Sequence, residues 1–162
     1  MAIHKLDLGE FDEIDYYLIA IHTALEDYRL AYFINQQLPI NLSKSNNEIQ
    51  INIEEGETHF SRFYYYDVEN AITWNLIQNK NEVIQQKEEN SQNLFASLTL
   101  EVSTKVFLLP EFKKVDYFIK IENSDDTIDV LEIQNLLNKI DSVYAVYTMD
   151  TDQIKSKNNL IF

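Results

Sequence analysis

The chain has 162 residues, 45% hydrophobic and 12% aromatic, which is enough to build one ordinary domain with its own core and excludes a globally disordered chain. Thirteen Lys plus Arg against 27 Asp plus Glu leave a net charge of −14. A field of that sign repels polyphosphate, and no segment clusters Lys and Arg, so direct binding to nucleic acid or to an anionic membrane is disfavoured.

Cysteine is absent, which removes disulfides, thiol nucleophiles and thiolate metal ligands. Gly9 and Gly56 are the only glycines, so a Gly-rich phosphate loop cannot be built, and tight turns must use Asn and Asp. The first residues, MAIHKLDLGEFDEIDY, contain charges throughout and no apolar stretch of the kind that targets secretion. A cytoplasmic protein is the expectation, with acidity serving solubility; imitation of an acidic polymer is the alternative.

In chain order, residues 1–15 are polar with scattered Ile3, Leu6, Leu8 and Phe11, the pattern of an arm or edge strand. YYLIAIH at 16–22 predicts a strand buried on both faces. Thr23 and Glu26 have capping-box spacing, which predicts a helix over 24–37, with Asp27 in its first turn and Pro39 closing it. Tyr28, Leu30, Tyr32 and Ile34 also alternate, so a hairpin strand is the competing reading. Strands are expected at 40–42 and 49–53 around a polar turn at 43–47, the second with one wet face, and Gly56 falls in the next turn. THFSRFYYYD at 58–67 and ITWNLIQNK at 72–80 read as an aromatic hairpin joined through 68–71.

From 79 to 93 the composition turns to Asn, Gln, Glu and Lys, which predicts a mobile loop interrupting one domain, with Val83 and Ile84 anchoring its middle. Residues 94–100 and 104–109 are extended segments. A strand at 115–122 follows, with Val115, Tyr117, Ile119 and Ile121 on one face. The next helix, 127–139, has an apolar stripe of Ile128, Leu131, Ile133, Leu136, Leu137 and Ile140, and Asp126 or Thr127 as its cap. A strand at 143–149 places Val143, Ala145, Tyr147 and Met149 on one side and completes a β-α-β unit. Asp150 or Thr151 caps a short final helix through Lys157, and the apolar Leu160, Ile161 and Phe162 tuck into the core or dock a partner. The fold class is α+β: a single domain with a largely antiparallel sheet, two or three helices, and this β-α-β unit towards the C-terminus.

Chemistry is sparse. His4, His22 and His59 are far apart without ligand spacing, so no metal or cofactor site is expected. With 27 acidic residues carboxylate pairs arise by chance. Glu111 and Asp116 are the only plausible acid and base, against the plainer reading that Glu111 pairs with Lys113 or Lys114 on the surface and Asp116 faces solvent or bonds a loop. No serine has the strained elbow or adjacent base of a nucleophile. Arg29 is expected to pair with Glu26 or another carboxylate. In the hairpin, Phe60, Tyr64 and Tyr66 alternate with Phe63 and Tyr65, with Trp74 on the facing strand. Burial of both faces is the expectation, and an exposed aromatic platform the alternative.

Leu109-Pro110-Glu111-Phe112-Lys113-Lys114-Val115-Asp116-Tyr117 resembles the signature of the bacterial IPExxxVDY family, with Leu109 where the signature has Ile. Segments 25–35 and 155–162 also resemble that family. The resemblance implies a cytoplasmic protein without assigned activity and carries over no catalytic or binding residues. The β-α-β unit is separately similar in architecture to small regulatory domains of the ACT type, but it lacks the glycine of their ligand loop. The functional expectation is a non-catalytic interaction or accessory subunit, with a protein partner or a homodimer. A small-ligand regulatory domain and an enzyme with a carboxylate site are the alternatives. The residues singled out are Pro110, Glu111, Asp116, Tyr117, Tyr65, Trp74 and Phe162.

Overall fold

A computed structural model describes residues 16–88, 99–122 and 127–162. Along the chain they form β1 (Tyr16–Thr23), α1 (Asp27–Gln37), β2 (Ser43–Lys44), β3 (Ile49–Ile53), β4 (Gly56–Phe60), β5 (Arg62–Asp67), β6 (Ile72–Gln78), β7 (Lys80–Glu88), β8 (Thr99–Phe107), β9 (Tyr117–Glu122), α2 (Val130–Leu137) and β10 (Val143–Thr148). Six strands make the main sheet in the order β10-β1-β9-β6-β5-β2, every neighbouring pair antiparallel. Because β9 and β10 both run antiparallel to β1 between them, they are parallel to each other, and α2 carries the chain across. By the same geometry β1 and β6 are parallel around β9, with α1 in their connection. Two interlocked split β-α-β units therefore frame the domain, with β3–β4 and β7–β8 as separate antiparallel ribbons. The α+β class with a largely antiparallel sheet is the observed one.

Both faces of the sheet are covered. On one, Ile19, Ile21, Leu76, Ile119 and Ile121 meet Leu30 and Ile34 of α1 and Ile133 and Leu137 of α2. On the other, Leu18, Ala20, Ile77 and Phe118 meet Ile49, Phe60, Leu108, Leu109, Val115, Ile154 and Leu160. This is why Leu18 to Ile21 is continuously apolar, with every side chain at 0% exposure: a central strand between two layers has no wet side.

Several boundaries differ from the sequence reading. Thr23 stays in β1, where its hydroxyl donates to Ser142 O (2.7 Å) and accepts from Leu25 N (3.1 Å). α1 therefore starts at Asp27, behind Glu26 and without a side-chain cap. The helix prevails over the strand reading because Leu30, Ala31 and Ile34 form its buried stripe while Tyr28 and Tyr32 stay exposed, and Leu38 before Pro39 ends it. Residues 40–42 are not a strand: the Asn35 side chain takes both main-chain groups of Leu42, at 2.7 and 3.0 Å, in place of a partner strand. The run 58–67 breaks at Ser61, so Phe60 ends one ribbon and Arg62 begins the main sheet. Gly56 opens β4 with φ +133, a conformation only glycine adopts without strain.

The larger correction concerns 79–93. Lys80–Glu88 is a strand, paired residue by residue with β8. Its polar composition marks a two-stranded ribbon largely open to water, not a loop; the remaining residues of that expectation, like those at 1–15 and 94–98, lie outside the described ones. Val115 precedes β9 and packs on the face opposite Tyr117, Ile119 and Ile121, because it lies in the turn before the regular alternation begins. α2 is shorter than 127–139 and is capped by Asp129, which accepts from Glu132 N at 3.0 Å; Leu131, expected in its stripe, is exposed. In β10 it is Val146 that is buried, since a register shift at His22/Thr23 offsets the strand against β1. Two 3-10 turns, Thr151–Gln153 and Lys157–Leu160, stand where one short helix was expected, the first capped by Asp150.

Candidate functional site

The 109–117 stretch links β8 to β9. Pro110 occupies the first position of a 3-10 turn, Pro110–Phe112, where its missing N–H costs nothing. Behind the turn lies Asn79, at 0% exposure. Its Nδ2 donates to Phe112 O (2.9 Å) and Val115 O (2.8 Å), and its Oδ1 accepts from Leu109 N (2.9 Å). Its main chain bonds Asp116 O and Leu108 N. One side chain thus satisfies three main-chain groups of an irregular buried segment. The sequence reading placed Asn79 at the head of a loop, and nothing in its neighbours Gln78 and Lys80 marks it as buried.

Glu111 reaches the 155–156 backbone. Oε1 accepts from Lys155 N and Ser156 N, both at 2.8 Å, and Oε2 from Ser156 Oγ at 3.0 Å. Burial alone would raise its carboxyl, but the bonds from Ser156, its own backbone and Lys155 outweigh that and hold it below the ordinary glutamate range. Asp116 looks elsewhere. Oδ2 accepts from Thr23 N (2.9 Å) and Oδ1 from Lys80 Nζ (2.7 Å). The next residue, Tyr117, donates its hydroxyl to Leu25 O at 2.8 Å; burial, then the Asp27, Asp116 and Glu26 charges, push that phenol above its ordinary value. Asp116 and Tyr117 therefore pin the turn from β1 to α1, while Glu111 pins 155–156. The two carboxylates share no partner, and the cleft beside Asp116, about 90 Å3, holds no more than a few waters. The expected pairing of Glu111 with Lys113 or Lys114 is replaced by these main-chain bonds.

Tyr65 and Trp74 face each other across β5 and β6, but on the helix-covered face. Trp74 is 6% exposed and Tyr65 half-buried against the same core. Tyr64 and Tyr66 lie on the other face, substantially exposed, whereas Asn75 and Ile77 of β6 on that same face are buried, so burial of both faces holds for β6 and not for the outer part of β5. Leu160 is buried and its carbonyl accepts from Lys120 Nζ at 2.7 Å, whereas Ile161 is exposed. Phe162 is half-exposed, its ring centroid 4.9 Å from Lys120 Nζ and 5.0 Å from the Arg62 guanidinium. Lys120, itself buried, also pairs with Glu122 and sits 5.0 Å from the Tyr16 ring; nothing in the alternation of β9 marked it. Arg29 pairs with Glu26 as expected, at 3.7 Å. His22 meets Tyr147 Oη at 2.9 Å and His59 meets Glu57. Among the described residues no group of three His, Asp or Glu could hold a metal ion, and no helix is long and apolar enough to cross a membrane.

The sheet has one conspicuous border. Among the described residues β10, sequence VYAVYT, pairs only with β1. It contains no charged residue, and Tyr144 and Tyr147 are 71% and 38% exposed. The opposite border, β5, is covered by β2 at Tyr64 and Phe63. Comparison with family models, with curated proteins and with solved structures finds no match for this chain.

Proposed function

We propose that the protein is a non-catalytic interaction subunit that adds an extended segment of a protein partner to the open edge of β10. The carrying observation is that edge: six residues, five of them of high β propensity, uncharged, free of Pro and Gly, with two exposed tyrosines. Edges are ordinarily blunted by charge or Pro, and β10 has neither. Its one irregularity, the register shift at Tyr144, lies near its start and leaves Ala145 to Thr148 regularly paired with β1, and an open regular edge is a template for another strand. That Glu111 and Asp116 spend their oxygens on the chain's own donors supports the non-catalytic part.

Asp141 precedes the strand, and Asp150 and Asp152 follow it. A second copy paired antiparallel would set Asp141 against the other chain's Asp150 and Asp152, so the fitting occupant is a β-branched segment with Lys or Arg at its ends. A cytoplasmic setting and kinship with the IPExxxVDY family, carried by Pro110, Glu111, Val115, Asp116 and Tyr117, belong to the same proposal.

The test is a native pull-down with mass spectrometry, comparing wild type with Tyr144→Lys, whose exposed position leaves the core intact, alongside light scattering and amide hydrogen exchange. A stoichiometric partner, lost with Tyr144→Lys and slowing exchange in β10, is the expected result. Equal retention by the variant, or a monomer that retains nothing, overturns the proposal. So does slow exchange of the outward β10 amides in the isolated protein, because the edge would already be covered. A concentration-dependent dimer abolished by Tyr144→Lys would assign the edge to a second copy and overturn the basic-segment partner.

A further inference from the structure

Away from the β10 edge, a cleft of about 570 Å3 opens where β6, β7 and β8 meet the Pro110 turn, lined by Gln78, Lys80, Asn81, Lys105, Phe107 and Lys113, with Glu82 at its side. Its size falls in the range of about 300–1,000 Å3 that small-molecule sites occupy. Its charge runs against the molecule. Three of the thirteen basic residues of a chain at −14 line this one cleft. Lys80 is held in place by Asp116 at 2.7 Å. Lys105 and Lys113 make no ion pair among the described residues. This holds even though Lys105 stands directly opposite Glu82 in the β7–β8 register, because the Glu82 carboxylate takes the Ser103 hydroxyl at 3.1 Å.

The lining also offers neutral contacts. Gln78 accepts from Ser61 N through Oε1, which leaves its Nε2 as a donor. The Phe107 ring lies 5.9 Å from Lys113 Nζ, an apolar surface beside a cation. Two ammonium groups without carboxylate partners, an amide donor and a flat ring line one concave space, with the Glu82 carboxylate among them. That combination attracts a compact anion, while the net charge of −14 on the whole chain repels a long polyanion.

We infer that this cleft is a binding site for a small organic phosphate, with Lys105 and Lys113 contacting the phosphate and Phe107 packing on the organic part. The inference is independent of the strand-edge reading, because no cleft residue belongs to β10.

The test is thermal shift and calorimetric titration at low ionic strength with three probes: inorganic phosphate, adenosine monophosphate and citrate. Adenosine monophosphate at about ten times its Kd should raise Tm by roughly 3–5 °C, and the shift should shrink as salt is added. Lys105→Gln and Lys113→Gln should each weaken binding about threefold and the double variant about tenfold, while Lys139→Gln, just past the end of α2 and outside the cleft lining, should leave it unchanged. Absence of saturable binding by adenosine monophosphate, or binding that the double variant keeps, overturns the site. Binding of citrate or inorganic phosphate as tight as that of adenosine monophosphate would overturn the role of Phe107 and of the organic part. None of these results bears on retention of a partner by β10.

Discussion

Replacing Asn79 with Ala tests whether the 109–117 stretch is held from behind. The substitution removes two donors and one acceptor at a site with 0% exposure. Val115 O and Leu109 N have no other partner among the described residues, whereas Phe112 O keeps the bond from Val115 N at 3.1 Å. Two buried groups left unpaired cost about 1–3 kcal/mol each. The third bond and the vacated volume add about 1 kcal/mol, so the expected loss is about 3–7 kcal/mol. In a domain of this size that lowers Tm by roughly 10–20 °C. It also consumes a large part of a typical stability of about 5–15 kcal/mol. Urea unfolding followed by tryptophan fluorescence measures it directly, because Trp74 is in the core. Asn159→Ala, which removes the single bond to Leu108 O at 2.8 Å, serves as the control at about 1 kcal/mol. Equal losses from the two variants, or a loss below about 1 kcal/mol for Asn79→Ala, would refute the idea that the unpaired groups set the cost.

Two further substitutions address the motif itself. The Glu111 carboxyl is depressed in the folded state, so its contribution is complete at neutral pH and disappears as pH falls through the carboxylate range; Glu111→Gln should flatten that part of the stability profile, and parallel profiles for wild type and variant would contradict the bonds to Lys155 and Ser156. The Tyr117 phenol is raised by burial, so stability should fall as pH climbs past the ordinary tyrosine value. Tyr117→Phe should remove that alkaline decline at a cost of about 1 kcal/mol near neutral pH, measured by the shift in denaturant midpoint.

Much of the framework was legible because it depends on short-range pattern. The apolar run of β1, the amphipathic face of α2, the aromatic alternation of β5 and the stop at Pro39 each encode an element within a handful of residues. The failures have a common cause. β7 has only Val83 and Ile84 as apolar residues among its nine, on opposite faces, and solvent covers much of the ribbon it forms with β8, so its polar residues read as loop. Val115 and Val146 obey the alternation of their strands except where a turn or a register shift moves them to the other side, and neither departure is visible locally.

The site was less legible than the fold. The motif pointed to Glu111, Asp116 and Tyr117, and these residues do anchor their surroundings. Their partners, though, are remote: Glu111 bonds residues 44 and 45 positions away, Tyr117 one 92 positions away. Trp74, singled out as a candidate contact although burial of the hairpin was the expectation, is core, since the strand pairing that buries it involves β9 and the helices above it. Asn79, Lys120 and the lysine cleft were not marked at all.

By itself, then, the sequence determined most of the strands and the helix before β10, that one central strand is buried on both faces, and that glycine-built phosphate loops and thiol chemistry are absent. Those properties follow from composition and from periods of 2 and 3.6 residues. Tertiary structure alone decided which polar side chains complete the buried hydrogen bonds, where the lysines gather, and that β10 lies at the border of the sheet. Each depends on segments 30 or more positions apart, such as Asn79 and Leu109, and a local pattern carries no record of what it will meet.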